Sequence, residues 1–234
     1  LPWSNIIATK NFGSLITEKG GGYTWSKNSR EYKLTAWQND VIFDKYSEEI
    51  VLRDEIAKLC WNITKDINNK NAQYTVTHDL GETVFETSYN GVFSTCSQFL
   101  DIEKEAKIYN ITLKNTSKVE RKLSLAINLD IVLGVNIYER GDKIYFKKES
   151  DWVLAFNASN KICAYLGSDQ PDFDYMTSAR DFEHWKNGGD WIKLSCSNPS
   201  LAIKTKIKLL PNETKVINFW LSDKKYEIGD IKEI

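Results

Sequence analysis

The sequence predicts an all-β protein whose antiparallel strands pack as a sandwich or barrel. Alternation of apolar and polar residues with a period of two dominates after about residue 70, as expected of strands with one buried face. Turn-forming residues separate these segments about every 8 to 12 residues, a spacing typical of sandwiches and barrels. Helical periodicity is weak throughout. These three observations favour one large β domain over two small ones.

The clearest strand pattern covers residues 122–133. Ser124, Asn128 and Asp130 fall on one face of this segment. The opposite face carries five apolar residues: Leu123, Leu125, Ile127, Leu129 and Ile131. Such a segment has one side in the core and a polar side facing away from it.

Further strands are predicted on both sides of this segment. Residues 47–61 are assigned to a strand followed by a charged turn, because Ile50, Val51 and Leu52 suit a strand better than an amphipathic helix. The other strand candidates are 74–79, 82–89, 91–100, 106–115, 143–150, 151–158, 201–210 and 214–221. The predicted turns are Asn90-Gly91, Asn115-Thr116-Ser117, Gly141-Asp142 and Pro211-Asn212-Glu213.

Two stretches depart from the alternating pattern. Residues 1–40 are crowded with Gly, Asn, Trp and Tyr, and residues 167–190 contain Pro171 and paired glycines at Gly188 and Gly189. We expect both to form long ordered loops, which is where binding residues usually lie on a β scaffold.

The composition excludes several classes of function. The 234 residues carry 31 Lys plus Arg against 32 Asp plus Glu, a formal net charge of −1. A protein that binds nucleic acid by neutralising phosphates needs a basic excess or stripe, and none is visible. With 41% hydrophobic and 27% charged residues the chain is typical of a globular protein. No apolar run approaches the roughly 18 residues of a membrane span, so no membrane insertion is expected.

The cysteines and the first residue bear on cellular context. Cys60, Cys96, Cys163 and Cys196 are widely spaced among apolar or aromatic neighbours and form no C-x-x-C pair. We therefore expect free thiols in a reducing compartment, and hence a cytoplasmic protein, over disulfides. Because Leu1 is not Met and no secretory leader follows it, the chain is expected to be a piece of a longer protein.

The segment 20–40 offers the side chains that sugars require. Aromatic rings stack on the apolar face of a sugar ring, and planar amide, guanidinium and carboxylate groups bind hydroxyl pairs. The candidates of both kinds are Tyr23, Trp25, Asn28, Arg30, Glu31 and Trp37. A tightly packed aromatic loop with an internal Arg30–Glu31 pair is the competing interpretation. An anion-binding glycine loop is a third, although no Lys-Ser or Lys-Thr follows the glycines.

Other potential catalytic patterns are weak. His78 and His184 lack the Cys or carboxylate spacing of a zinc site, and no G-x-S-x-G motif supports a Ser-His-Asp triad. We expect both histidines to be ordinary polar or aromatic-packed residues. Asp181 and Glu183 belong to an acidic stretch that we expect to be a solvated loop rather than an acid–base pair.

The opening 40 residues and the Arg53-Asp54-Glu55 triplet resemble the amino-terminal domain of glycoside hydrolase family 94, formerly glycosyltransferase family 36. The family contains cellobiose, cellodextrin, chitobiose and β-1,2-oligoglucan phosphorylases and part of the cyclic β-1,2-glucan synthases. The Asn-Ser-Arg-Glu form at residues 28–31 is most similar to the cellodextrin phosphorylase and cyclic glucan synthase branch. The matching positions are Pro2, Trp3, Asn5, Phe12, Gly13, Glu18, Gly20, Gly22, Tyr23, Trp25, Asn28, Arg30, Glu31, Leu34, Trp37, Asn39, Asp40, Arg53 and Asp54.

This resemblance implies an antiparallel super-sandwich similar to galactose mutarotase over residues 1–222. Residues 223–234 would then begin a helical linker to an (α/α)6 barrel that the chain lacks. The family reaction is inverting phosphorolysis, in which an Asp general acid of the barrel protonates the glycosidic oxygen while phosphate attacks the anomeric carbon. The resemblance therefore implies no catalytic residue, metal or cofactor in this chain, with inorganic phosphate as co-substrate of the parent enzyme.

The resemblance also implies partners: a β-glucan or oligosaccharide, the chain's own barrel, and a second copy in a homodimer. An Arg soon after a Val-Leu-Gly strand can reach an acceptor sugar in the family, and Arg140 after Val132-Leu133-Gly134 is the nearest match. A surface hairpin arginine is the alternative. For the whole chain the alternatives are a free-standing carbohydrate-binding module and, with only two histidines, a mutarotase-like enzyme.

Overall fold

The computed structural model describes residues 3–37, 39, 46–64, 69–140, 143–170, 172–192 and 198–226. Within these ranges the chain forms antiparallel β-strands, one α-helix and a short 3-10 helix at Ile137–Glu139. The strands of the first half are β1 (Ser4–Ala8), β2 (Phe12–Thr17), β3 (Gly22–Ser26), β4 (Lys33–Thr35), β5 (Glu48–Asp54), β6 (Leu59–Asn62), β7 (Gln73–Asp79), β8 (Glu82–Tyr89) and β9 (Val92–Asp101). The remaining elements are β10 (Ala106–Asn115), β11 (Arg121–Leu129), β12 (Ile131–Gly134), β13 (Ile144–Lys148), β14 (Trp152–Asn157), β15 (Cys163–Ser168), β16 (Asp174–Ser178), α1 (Ala179–Lys186), β17 (Pro199–Leu209) and β18 (Thr214–Ser222).

The strands form three antiparallel sheets. A first five-stranded sheet has the order β1-β2-β3-β4-β12, and a second has the order β16-β17-β11-β5-β6. β12 of the first sheet follows β11 of the second with only Asp130 between them, so the chain passes directly from one sheet to the other. The third sheet has eight strands in the order β13-β14-β15-β18-β10-β9-β8-β7. The predicted all-β antiparallel architecture is confirmed.

One hydrophobic core joins all three sheets. Phe12 and Leu34 enter it from the first sheet, Leu125 and Ile127 from the second, and Phe219 from the eight-stranded sheet, each at most 1% exposed. Alternate residues of each strand point into this core, which is how the period-two pattern specifies the sandwich. The apolar face predicted for residues 122–133 is fully buried.

The predicted turns inside the described ranges join strands as expected. Asn90 and Gly91, with φ of 49° and 70°, connect β8 to β9, and this pair of positive φ values is the geometry that tight hairpins favour. Asn212, with φ of 61°, lies in the turn between β17 and β18. Residues 47–61 form β5, a turn at 55–58 and β6, as predicted. The Gly141-Asp142 turn lies outside the described residues.

The prediction of a long loop over residues 1–40 is wrong, because this segment contains β1 to β4. Its glycine content disfavours strands in isolation, but glycine and tryptophan residues pack on each other across a pair of strands. Gly13 on β2 is paired with Trp25 on β3, and a Cβ at Gly13 would lie 2.3 Å from the Trp25 ring. Tertiary packing therefore overrides local propensity, and glycine marks a close approach within the sheet.

The prediction of a loop over residues 167–190 is also wrong, since this stretch contains the end of β15, β16 and α1. Gly167 repeats the first arrangement: it is paired with Trp220, and a Cβ there would lie 2.1 Å from the ring. Helix α1 begins after Ser178, whose side chain accepts a hydrogen bond from the Asp181 backbone N–H. Asp181 is 3% exposed, so it is a buried first-turn residue and not part of a solvated acidic loop.

Helix α1 covers the face of the second sheet that points away from the common core, here called the outer face. Phe182 and Trp185 pack on Val51, Ala126 and Met176 of that face. Arg53 reaches across from β5, and its Nη1 donates to the carbonyls of Trp185 and Gly189 at 2.7 Å each. A buried cation at the carboxyl end of a helix is favoured by the helix dipole, so Arg53 attaches α1 to the sheet.

The cysteines, the helix and the carboxyl-terminal end of the chain can be described only in part. Cys60, Cys96 and Cys163 are free, with Cys96 fully buried, and Cys196 lies outside the described residues. Among the ranges the structure describes, no helix has the length and apolar character to cross a membrane. β18 ends at Ser222, and residues 224–226 have no regular structure; the rest of the predicted linker, 227–234, lies outside the description.

Candidate functional site

The turn that precedes the predicted sugar-binding residues depends on its glycines. Gly20 and Gly22 have φ of +86° and +126°, which L-residues with a side chain rarely adopt. A Cβ at Gly22 would lie 1.9 Å from the backbone oxygen of Leu15 on the paired strand. The turn is closed by a hydrogen bond from the Gly20 N–H to the Thr17 carbonyl at 2.9 Å. It therefore starts β3 at a fixed register, with Tyr23 as the next residue.

Tyr23, Trp25 and Trp37 form one aromatic cluster. The Tyr23 ring lies 5.1 Å from Trp25 and is stacked with Trp37 at 5.4 Å and an interplanar angle of 23°. Tyr23 is 9% exposed, whereas Trp25 and Trp37 are half-buried. Burial raises the pKa of the Tyr23 hydroxyl, opposed by a hydrogen bond with Ser29. Two indole rings are therefore partly available at the surface, with Tyr23 supporting them from below.

The polar candidates lie on the turn between β3 and β4. The Asn28 side-chain oxygen accepts the backbone N–H groups of Arg30 and Glu31 at 2.9 Å each, so this amide shapes the turn. The Arg30 and Glu31 side chains are 83% and 60% exposed, with their charged groups 3.4 Å apart. The structure thus contains the predicted Arg30–Glu31 pair, but on the surface and not in a packed loop. Both groups can reach a ligand or another domain.

A buried polar network fixes the strands beneath the aromatic cluster. Thr24, between Tyr23 and Trp25, points inward and donates to the Glu48 carboxylate at 2.6 Å. The same carboxylate accepts bonds from three further side chains, with distances of 2.7, 2.5 and 2.7 Å: Thr35, Lys107 and Tyr109. These residues come from β3, β4, β5 and β10, so one carboxylate joins all three sheets. The network was not predicted from the sequence.

The pKa values of this network follow from its burial and pairing. Burial by itself would raise the pKa of the Glu48 carboxyl, but the Lys107 charge and the hydrogen bonds from Lys107, Thr24 and Tyr109 hold it below 4.5. Burial and the adjacent Glu48 charge raise the Tyr109 pKa well above 10. Glu48 is therefore ionised at neutral pH and acts as an acceptor, which suits a structural support and not a proton donor.

Arg140 is buried and held by its own domain. It is 7% exposed, and its Nη1 donates to the Asp130 carboxylate and, at 2.8 Å, to the Ile131 carbonyl. Its Nη2 donates to the Asn198 side-chain oxygen. These partners lie where β11 passes into β12 and where β17 begins, and none belongs to the aromatic cluster. Arg140 therefore orders the end of β11 and the start of β17.

The two histidines lie on different parts of the fold. His78 is on β7, with Nδ1 3.0 Å from the Thr83 hydroxyl, and burial lowers its pKa. His184 is an exposed residue of α1, packed against Gly189. Within the part of the chain that the structure describes, no three His, Cys, Asp or Glu residues are grouped to hold a metal ion. The pair does not converge on one site.

The site predictions thus separate into three groups. The three aromatic candidates form one cluster. Asn28, Arg30 and Glu31 lie on the turn between β3 and β4, next to this cluster. Arg140 lies elsewhere. The sequence did not indicate the Glu48–Lys107 pair. Glu48 begins an apolar strand and Lys107 lies in an alternating strand, and neither pattern predicts that the charged residue is buried. Substrate contact by any of the seven candidates stays a prediction.

The fold is shared with carbohydrate-active enzymes. A putative kojibiose phosphorylase from the human microbiome superposes with a TM-score of 0.55 at 13% identity, over 97% of this chain and 31% of that one. A galactose mutarotase related enzyme from Lactobacillus acidophilus gives 0.56 at 10% identity, over 94% and 97%. At these identities the likeness concerns the fold alone. It defines the chain as a β-supersandwich of the galactose mutarotase type.

Sequence comparison identifies the family. The family model for the glycosyl hydrolase 94 supersandwich domain matches residues 1–147, and the chain belongs to this family. It is 27% identical over 189 residues to the cyclic β-(1,2)-glucan synthase NdvB of Rhizobium meliloti, covering 77% of this chain and 7% of the synthase. It is 32% identical over 127 residues to an N,N'-diacetylchitobiose phosphorylase of Vibrio proteolyticus, covering 53% and 16%. The predicted family resemblance is confirmed, and the chain spans a small fraction of these relatives.

Proposed function

We propose that this chain is a non-catalytic amino-terminal domain of an inverting β-glucan or oligosaccharide phosphorylase, or of a cyclic glucan synthase. The observation that carries the proposal is the family membership, together with the 7% and 16% of two enzyme relatives that the chain covers. In the proposed parent enzyme, a separate (α/α)6 barrel supplies the Asp general acid. Inorganic phosphate is the co-substrate of a parent phosphorylase.

The aromatic cluster and the neighbouring turn support a docking role for this domain. Trp25 and Trp37 present half-buried rings, and Arg30 and Glu31 present exposed charges beside them. A surface with an apolar centre and a charged rim is typical of contacts between domains. In the proposed enzyme this surface packs against the barrel, contributes to the acceptor-sugar site and lies near a homodimer interface.

A direct test is to read the coding sequence beyond Ile234. A helical linker followed by a barrel with an Asp general acid supports the proposal, and a different downstream domain contradicts it.

In the full-length protein, Trp25→Ala and Arg30→Ala are expected to raise the KM for the acceptor sugar several-fold. Trp3→Ala is the matched control, because Trp3 is 76% exposed and lies outside the cluster.

A free-standing carbohydrate-binding module is the second candidate, favoured by the partly exposed Trp25 and Trp37 rings. Such a module binds β-glucan by itself, and each stacked ring contributes a large part of the affinity. Calorimetric titration of this chain with cellohexaose and linear β-1,2-glucan distinguishes the two. Saturable binding that Trp25→Ala and Trp37→Ala abolish, and Trp3→Ala does not, supports the module. Absence of binding leaves the domain of a larger enzyme as the favoured function.

A further inference from the structure

The longest described strand, β17, is paired along only part of one of its edges. It pairs with β11 over residues 201–209, whereas β16 pairs with it only over residues 199–204. These two strands are its only neighbours in the described part of the chain. Residues 205–209 therefore have one side without a partner strand, here called the open edge. A cleft of about 490 Å³ lies where β16 leaves this edge, and Thr205 and Lys206 line it.

Lys206 and Lys208 direct their backbone groups to the open edge. The Glu55 N–H donates to the Lys122 carbonyl at 2.9 Å, so the even-numbered residues of β11 bond to β5. The odd-numbered residues of β11 then bond to β17, and their partners there, such as Ile207, are odd-numbered as well. The N–H and C=O groups of Lys206 and Lys208 consequently point away from β11, beyond the end of β16. Unpaired donors and acceptors in a row form a template for an added strand.

The outer face beside the open edge is positively charged. Lys206 and Lys208 are exposed, and Lys122 on β11 is exposed and directly opposite Lys208. The register makes Lys122 and Lys208 a pair without mutual backbone hydrogen bonds, the kind in which side chains stand closest, and like charges there destabilise a sheet. Glu120 binds Lys208 at 3.0 Å and Asp172 lines the cleft beside Lys206, which leaves an excess of positive charge.

Lys204, the next lysine along β17, is already satisfied within the protein. It is 7% exposed, with Nζ 3.5 Å from the Asp174 carboxylate and 4.7 Å from the centroid of the Trp191 ring. Burial lowers the pKa of Lys204, the Asp174 and Glu55 charges oppose this, and the Lys206 charge lowers the pKa further. Lys204 therefore ends the paired part of the strand, and the lysines available to a partner begin at Lys206.

Protection of the edge explains only some of these lysines. Lysines on an edge strand commonly prevent a sheet from pairing with another copy of itself. This role fits Lys206 and Lys208 but not Lys122, because β11 is an interior strand with no edge to protect. A second copy of this chain would bring the same positive charges to the edge, whereas a partner with carboxylates would be attracted to all three lysines.

We propose that the open edge binds an extended acidic peptide segment as an additional antiparallel strand in line with β16. The peptide backbone pairs with that of Lys206 and Lys208, and its carboxylates on the outer face meet the ammonium groups of these residues and of Lys122. A polyphosphate or an anionic lipid surface could accept from the ammonium groups but has no N–H donors for the strand carbonyls, so a peptide fits better. These residues take no part in the aromatic cluster, so the proposal does not depend on the proposed function.

Two variants at one position separate the backbone contribution from the charge. Lys206→Gln removes the ammonium group and keeps the N–H, whereas Lys206→Pro removes both. Proline is tolerated where an N–H points out from an edge strand, so both variants are expected to fold, and their Tm verifies this. Lys206→Gln is expected to weaken peptide binding about two- to fivefold, and Lys206→Pro at least about tenfold. Lys147→Gln, at a 71% exposed lysine on β13, is the matched control and is expected to retain affinity.

The probe is a fluorescein-labelled peptide of alternating Glu and Thr, titrated with the protein at low ionic strength and followed by fluorescence anisotropy. Its controls are a Lys-Thr peptide of equal length and the acidic peptide N-methylated at each Glu, which keeps the charge but cannot donate to the strand. Saturable binding of the unmodified acidic peptide alone, weakened in the order given for the variants, supports the proposal.

Four outcomes overturn the proposal. The first is the absence of saturable binding by the acidic peptide. Equal binding of its N-methylated form, or equal affinity of Lys206→Gln and Lys206→Pro, would identify a surface that attracts anions without strand pairing. A wild-type dimer in analytical ultracentrifugation that Lys206→Pro dissociates would assign the open edge to a second copy of this chain.

Discussion

The Glu48 carboxylate and the Lys107 ammonium lie 2.5 Å apart inside the protein, with their side chains 3% and 2% exposed. A pair this deep is stable only when every remaining lone pair and proton is bonded. Thr24, Thr35 and Tyr109 complete the set around Glu48. The ion pair therefore holds together the strands that carry the aromatic cluster and the eight-stranded sheet behind them.

The first prediction concerns the removal of one partner of this pair. Lys107→Met leaves the Glu48 carboxylate buried without its counter-charge and is expected to lower the free energy of unfolding by about 3–5 kcal/mol. Chemical denaturation of the variant and the wild type measures the loss. Lys208→Met is the control, because its 3.0 Å pair with Glu120 is solvent-exposed and is expected to contribute at most about 1 kcal/mol. Equal losses in the two variants would contradict the buried pairing.

The second prediction is the pH dependence that Glu48 confers. Its pKa is lower in the folded protein than the 4.5 of the free side chain, so the unfolded chain binds a proton first as the pH falls. The stability contributed by ionised Glu48 is therefore complete above about pH 4.5 and lost as the pH falls through the folded-state pKa. Unfolding free energies of wild type and Glu48→Gln between pH 7 and pH 3 should converge on acidification. A constant difference would show that folding leaves the pKa of Glu48 unchanged, and a wild type that gains stability relative to Glu48→Gln on acidification would show that Glu48 is protonated when folded.

The alternating strands were predictable because the apolar–polar period of two is visible within each strand. Ile127 and Leu129 point inward and Asn128 outward, as the period of two requires. What this pattern does not reveal is what covers the outward face. The polar side of β11 looks like a solvent-exposed surface in the sequence, yet α1 lies over it and Asn128 is 8% exposed. The burial of this outer face was therefore not predictable before the fold was known.

The segments that escaped prediction depend on contacts between residues far apart in the chain. Gly167 fits a strand because Trp220, 53 positions later, packs over it. Glu48 is buried because Lys107, 59 positions later, reaches it from another sheet. The residue types of residues 1–40 predict a binding loop, and only the sheet geometry shows that Tyr23 and Trp25 alternate with the inward-pointing Thr24. Local sequence cannot encode such pairings.

The third prediction tests whether Arg53 anchors α1. Its side chain is 1% exposed, and its guanidinium donates to the Trp185, Gly188 and Gly189 carbonyls, so Arg53→Met removes three buried hydrogen bonds. We expect a loss of about 3 kcal/mol in unfolding free energy.

Hydrogen–deuterium exchange of the helix locates this effect. Faster exchange in residues 179–186 of Arg53→Met, with β9 and β10 unchanged, is the expected result. Arg53→Lys should be intermediate, since an ammonium keeps the charge at the helix end but cannot span three carbonyls. Arg30→Ala, at an 83% exposed arginine, controls for loss of a guanidinium and is expected to change stability by less than about 0.5 kcal/mol. Unchanged exchange in the helix would exclude the anchoring role.

The last prediction compares two glycines that share a positive φ but differ in their surroundings. Gly81, with φ of +83°, has open space where a Cβ would stand, so Gly81→Ala is expected to cost only the backbone strain of about 1 kcal/mol. Gly22, with φ of +126°, would place that Cβ 1.9 Å from the Leu15 oxygen, so β2 and β3 must separate. Gly22→Ala is therefore expected to cost more than about 3 kcal/mol, measured by thermal unfolding.

Because Tyr23 follows Gly22 directly, Gly22→Ala should also alter the near-ultraviolet circular dichroism of the stacked Tyr23 and Trp37 rings, whereas Gly81→Ala should leave that signal unchanged. Equal stability of the two variants would show that the turn at Gly22 does not set the position of the aromatic cluster.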